Sequence, residues 1–271
     1  MRTAILLIAA LAGCGEQTAE PRSAEPTAVA SIPANQVNAA TKLTPRSSEP
    51  HSVEEENDLY SFSFSWPGSI PQKLESRFKA EESKLKAELV AGAKEGRAER
   101  AKQGFDYHPH AASRSYEYTG WSGRLMSLMS SSYGFTGGAH GSTGSGSTLW
   151  DKVLDREISI QDLLQPGTSW TGAIRQPFCV LLDREREKRR DEPVGKDDLF
   201  GNCPEYKELT VLLSDTNKDA RFDHIDVIAD QYVAGPYAEG PYEISLPITA
   251  AMIERLKPEY RASFEPRPPV K

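Results

Sequence analysis

Tyr60-Ser61-Phe62-Ser63-Phe64-Ser65-Trp66 alternates aromatic and hydroxyl side chains without a break, and Pro67-Gly68 stops it. A period of two places every ring on one face, which reads as a half-buried β-strand. Beyond Gly68 the period changes. From about Pro71 to Lys102, Leu74, Phe78, Leu85 and Leu89 fall on one helical stripe, while Lys, Arg and Glu fill the remaining faces. At about 1.5 Å per residue this helix exceeds 40 Å. Its last part, Ala93 to Gln103, has almost no apolar stripe and is expected to project into solvent or fray. The charge run reads as a solvated helix face.

Downstream, Ser113–Tyr118 and Arg124–Phe135 are separated by a Gly120/Gly123 turn and read as paired antiparallel strands. Arg156–Leu164 holds a short strand or turn that leads into a helical start. A helix is expected from Trp170 to about Arg190, with Ile174, Phe178, Leu181 and Leu182 near one stripe. Three more strands follow at Glu208–Leu213, Ile225–Ala229 and Tyr242–Pro247, then a last helix over Thr249–Phe264 carrying Met252, Ile253 and Leu256. Strands mixed with segregated helices give an α+β class: antiparallel strands with a long N-terminal helix and a C-terminal helix.

Upstream, Met1-Arg2-Thr3 precedes an apolar run, Ala4 to Leu11, too short to cross a hydrocarbon layer about 30 Å thick. It reads as a signal-peptide core. The run ends in Leu11-Ala12-Gly13-Cys14, which resembles the lipobox of bacterial lipoproteins. That resemblance implies cleavage before Cys14 and its acylation, palmitate being the usual kind of chain. Several chains anchor firmly, since each buried methylene contributes about 0.8 kcal/mol. Gly15 after the cysteine suggests the outer membrane by the sorting pattern of such proteins. From Gly15 to about Asn57 the sequence is rich in Pro, Ala, Ser, Thr and Glu and has no aromatic residue, as expected of a disordered tether with a reach of about 36 Å. The expected organisation is therefore a signal peptide over 1–13, a lipid-anchored tether over 14–58, and two folded parts over 59–141 and 142–271. In the 271 residues, 39 acidic side chains outweigh 32 basic ones, a net charge of −7 that argues against nucleic acid as a partner. The 38% hydrophobic content averages a fold over a tether that adds nothing to its core.

With Cys14 acylated, Cys179 and Cys203 remain. In an oxidising compartment they are most simply a disulfide, two free buried thiols being the alternative. Two glycine-rich motifs frame the second half. Tyr133-Gly134-Phe135-Thr136-Gly137-Gly138-Ala139-His140-Gly141 ends a strand, and Tyr232-Val233-Ala234-Gly235-Pro236-Tyr237-Ala238-Glu239-Gly240-Pro241 precedes one. Together with Leu149-Trp150-Asp151 and Ile158 to Leu164, they make the chain resemble the RsiV-like family of extracytoplasmic domains of unknown function. That family occurs outside the membrane in RsiV anti-sigma factors and beside the catalytic domain of the peptidoglycan deacetylase PdaC. The resemblance spans about Tyr60 to Phe264, with an N-terminal part to about Gly141 and a C-terminal part beyond. It implies recognition, of a lysozyme-like protein or of peptidoglycan. A sigma-binding segment, a membrane helix and a deacetylase module are not expected in this chain.

The candidate ligand-binding residues are His140, Tyr237 and Glu239. A turn histidine and a rigid turn registering two strands are the bland alternatives. Gly141–Ser147 lacks the lysine of a phosphate loop. His108 and His110 are a weak metal pair. Asp215, Asn217, Asp219, Asp223 and Asp226 occupy positions 1, 3, 5, 9 and 12 of a calcium loop. Against calcium, Ala220 replaces the turn glycine, Asp226 replaces a longer Glu, and strands flank the loop, which favours an Asn/Asp-rich hairpin turn. No catalytic residue and no cofactor are assigned. The expected function is a non-catalytic envelope lipoprotein; a peptidoglycan-modifying or hydrolytic enzyme built on His140, or a structural envelope protein, are the alternatives.

Overall fold

The computed structural model describes residues 49–195 and 199–269. The signal segment, Cys14 and most of the expected tether lie outside them. Six strands form one sheet in chain order: β1 (His51–Glu56), β2 (Tyr60–Trp66), β3 (His110–Trp121), β4 (Leu125–Phe135), β5 (Ser142–Asp151) and β6 (Arg156–Ile158). Helix α1 (Gln72–Gln103) joins β2 to β3, and α2 (Thr171–Arg190) follows β6. A second antiparallel sheet contains β7 (Thr210–Ser214), β8 (His224–Ala229) and β9 (Tyr242–Pro247). Two short helices close the chain, α3 (Ala250–Glu254) and α4 (Pro258–Arg261). The α+β class holds.

Two buried clusters occupy opposite faces of the first sheet. The alternation of β2 sends Phe62, Phe64 and Trp66 towards α1, where they meet Leu74, Phe78 and Leu89. Phe78 stacks on Tyr116 of β3 with ring centroids 3.8 Å apart. On the other side, Leu125 and Leu149 pack with Ile174, Phe178 and Leu182 of α2 and with the second sheet. Adjacent residues of β4 and β5 thus serve different cores: Leu125 and Met126, Leu149 and Trp150. The sheets are also tied by polar contacts, Thr119 Oγ1 donating to the Leu213 carbonyl at 2.6 Å and Asp215 N–H to the Thr119 carbonyl at 2.9 Å.

Several expectations need correction. β2 and β3 are parallel, because α1 carries the chain back along the sheet before β3 begins. Strand β1 lies inside the expected tether over 14–58. β1 has little apolar content of its own, but it completes a ladder with β2, stacks His51 on Trp66 at 3.8 Å and pairs Glu55 with Lys86. The expected division at Gly141 cuts one sheet, since β5 pairs with β4 along its whole length and Gly141–Ser147 is largely strand. The end of α1 is largely exposed, as expected, but it stays helical to Gln103 and is held along one side: Ala93 is buried, Arg97 pairs with Asp58 at 2.7 Å, and Gly96 lies against His110. The single C-terminal helix is two, because Pro258 starts a helix readily but cannot continue one. Cys179 of α2 and Cys203 form a disulfide, with Cα atoms 5.5 Å apart.

Candidate ligand-binding site

The two glycine-rich motifs meet at the end of the sheet where β4 passes into β5. The first is set by three contacts. Arg100, in the last turn of α1, donates to the Gly137 carbonyl at 2.7 Å. The ring of Tyr133 lies over Gly141, where a Cβ would fall inside the ring, so only glycine permits this approach. His140 then emerges, with its Nδ1 2.9 Å from the Gly141 carbonyl. A carbonyl only accepts, so Nδ1 carries the proton and Nε2 is free to accept.

The second motif supplies the rest. Asp230 fixes its start by accepting from the Ser145 N–H at 2.9 Å and the Ser145 hydroxyl at 2.7 Å, and Thr143 donates to Gln231 at 2.8 Å. Tyr232 has φ +68° and is 55% exposed. Its hydroxyl lies 3.3 Å from His140 Nε2, to which it donates. Tyr237, in a 3-10 turn over Tyr237–Glu239, stacks on the His140 ring at 3.9 Å, and the two tyrosine rings are 6.0 Å apart. His140, Tyr232 and Tyr237 form a ring platform in which His140 and Tyr232 are exposed, Tyr237 is half-buried, and the stacked faces of His140 and Tyr237 cover each other.

Glu239 does not join it. Both its oxygens face the Arg190 guanidinium, at 2.8 and 3.0 Å, and the Tyr242 hydroxyl donates to it. Burial works to raise its pKa, but Arg190 and Tyr242 outweigh burial and hold the carboxyl below its usual range. Arg189 donates to the Glu239 and Pro241 carbonyls and lies over the Tyr242 ring at 4.0 Å. Buried Arg186 reaches the Ala234 carbonyl at 2.8 Å. The charged end of α2 therefore braces the turn that carries Tyr237.

The other candidates lie elsewhere. His110 is buried between Gly96 and Tyr107, where burial, then Arg100, lowers its proton affinity, while His108 is exposed. The five calcium candidates are not gathered around one point. Asp215 accepts from the N–H groups of Asp219 and Ala220, Asp219 pairs with Arg221, and Asp226 accepts from Ser245. Asp223 is fully buried, with Thr216, His224 and Arg267 as partners. Among the described residues no three His, Cys, Asp or Glu side chains are placed to hold a metal ion. A groove of about 390 Å³ between the sheets, lined by Ser147, Leu149, Ile158, Val211 and Leu213 among others, contains none of the candidates.

Residues 53–143 match the family described as Deacetylase PdaC. The PdaC-matched segment runs from β1 to the start of β5, so it contains His140 but neither platform tyrosine. The fold as a whole is similar to the crystal structure of a DUF3298 family protein from Pseudomonas aeruginosa PAO1, with a TM-score of 0.51 and 18% identity over 80% of this chain and 97% of that one. A DUF3298 family member from Bacteroides fragilis aligns with a TM-score of 0.48 and 14% identity, over 79% and 96% of the two chains. No curated protein matches the chain. Tyr232 does not stand out in the sequence as a site residue, because its importance lies in a backbone conformation that its side-chain type disfavours.

Proposed function

We propose that this protein is an envelope lipoprotein, anchored through acylated Cys14 in the outer membrane, whose RsiV-like domain recognises the glycan of peptidoglycan without turning it over. The observation that carries this reading is the ring platform of His140, Tyr232 and Tyr237, built from two separated motifs and left open. The exposed rings of His140 and Tyr232 offer apolar surface to the C–H faces of a sugar, and the tyrosine hydroxyls suit sugar hydroxyls. Engagement of both His140 nitrogens, and of Glu239 by Arg190, supports binding over acid–base chemistry.

The test is retention of the chain from residue 14 onward on insoluble peptidoglycan, with lysozyme supplied in a separate arm. Retention on peptidoglycan alone is expected. Capture by lysozyme alone would reassign the domain to protein recognition, and capture by neither would remove the recognition reading. Palmitate labelling in cells, lost in Cys14→Ser, tests the anchor independently.

A further inference from the structure

Of the four tryptophans in the chain, Trp66, Trp150 and Trp170 are buried, whereas Trp121 is 48% exposed. It ends β3. Its ring meets Tyr118 edge-on at 5.8 Å, and at the same end of the sheet, in the β5–β6 turn, Val153 and Leu154 are 64% and 45% exposed. The two segments are joined, since Lys152 N–H donates to the Arg124 carbonyl at 2.8 Å and its ammonium donates to the Ser122 carbonyl. This exposure is built in. Fully buried Asp151 accepts from the N–H groups of Val153 and Leu154 at 2.8 and 3.0 Å, while Arg124 and the Tyr260 hydroxyl hold its other oxygen. A turn pinned by a buried carboxylate that holds two aliphatic side chains in water, at the end of the sheet that also exposes Trp121, marks an interaction surface.

The partner follows from where the chain enters. His51 pairs with Trp66, the last residue of β2, and β3 runs parallel to β2 towards Trp121. Strand β1 therefore enters the sheet at the same end as the apolar tip, and the lipobox cysteine lies upstream of it. About 35 residues separate Cys14 from the described part, and any unstructured chain of that length spans about 33 Å on average. A tether of that length keeps the tip at an effective concentration near millimolar at the bilayer, so weak affinity suffices. Two acids at this end of the sheet are paired, Asp151 with Arg124 at 2.9 Å and Asp155 with Lys73 at 2.7 Å. Tryptophan beside aliphatic residues is the composition that settles at a lipid–water boundary.

We infer that Trp121, Val153 and Leu154 form a docking tip for the lipid surface of the bilayer that holds the anchor. The ring platform lies at the opposite end of β4, an 11-residue strand of about 36 Å, so docking turns the platform away from the membrane. The choice of bilayer rests on the anchor reading; the tip itself does not.

Because Cys179 and Cys203 are joined, Cys14 is the one free thiol of the chain from residue 14 onward. Coupling it to a maleimide lipid in phosphatidylethanolamine/phosphatidylglycerol vesicles reproduces the attachment. With brominated acyl chains, the Trp121 share of the emission should be quenched while the buried tryptophans keep theirs. Trp121→Phe should abolish the response, and Val153→Ser with Leu154→Ser should reduce it severalfold without loss of melting temperature. Equal emission in brominated and plain lipid would overturn the proposal. So would shielding of Trp121 from acrylamide by added lysozyme and not by vesicles, which would assign the tip to a protein. Quenching without palmitate labelling in cells would remove the anchor reading and leave the tip.

Discussion

Tyr232 carries a conformational cost of about 1–2 kcal/mol, because φ +68° crowds the Cβ of a bulky residue against its own backbone. Little burial offsets it, since the side chain is mostly in water and touches His140 through one hydrogen bond. Tyr232→Asn should therefore melt no lower than the parent chain while losing ligand affinity, as thermal denaturation and titration together would reveal. Asp223 is the opposite case. Burial pushes its carboxyl up, but the Thr216 N–H and hydroxyl, with His224 and Arg267, hold it down at about 2 against an ordinary 3.8. A depressed folded value means that the stabilisation is complete above the unfolded value and is lost as pH falls from about 4 towards 2. Acid unfolding of the parent should show this loss, and Asp223→Asn should flatten it. At this scale the sequence offers His140 and Tyr237 as candidates, because glycine-flanked polar rings stand out, but their stacking on each other comes only from the fold. The internal pairing of Glu239 was not legible, since Arg190 lies far away in the chain.

Helix α1 illustrates how far element-level reading goes. Its apolar stripe and the stop at Pro67-Gly68 place it within a residue of its observed ends, whereas the contacts that hold its largely exposed C-terminal half are not legible. Ala93 and Gly96 offer no apolar bulk, and what Gly96 accommodates, the His110 ring, comes from the start of β3. A Cβ at Gly96 would approach His110 Nε2 to 2.8 Å. Gly96→Ala should thus lower the melting temperature although alanine favours a helix by about 1 kcal/mol. In a His110→Ala background the same change should stabilise, a reversal that a double-mutant cycle detects. The disulfide was legible because only two thiols remained after Cys14. Replacing both cysteines by alanine should cost about 3.5 kcal/mol in the chain-entropy account, measurable by urea denaturation. The parallel pairing of β2 and β3 was hidden, since the alternation in each strand is the same whichever way its neighbour runs.

For the molecule as a whole, the fold class was legible from alternating periods, but the expected division at Gly141 was not a real one. β4 and β5 supply neighbouring residues to both cores, so neither core survives loss of the other. Calorimetry of the folded part should give one transition; two would mean that the cores are separable. The shared sheet also gives the recognition account its geometry, with the His140–Tyr232–Tyr237 platform at one end and the chain entry at the other. The most direct test of that account is calorimetric titration of the chain from residue 14 onward with soluble, undigested peptidoglycan glycan fragments. The account predicts binding that weakens about tenfold or more in Tyr237→Ala and in Tyr232→Asn, or about 1.4 kcal/mol, and that is unchanged in Trp121→Phe. Absence of binding by the parent chain, or equal affinity in the platform variants, would contradict it.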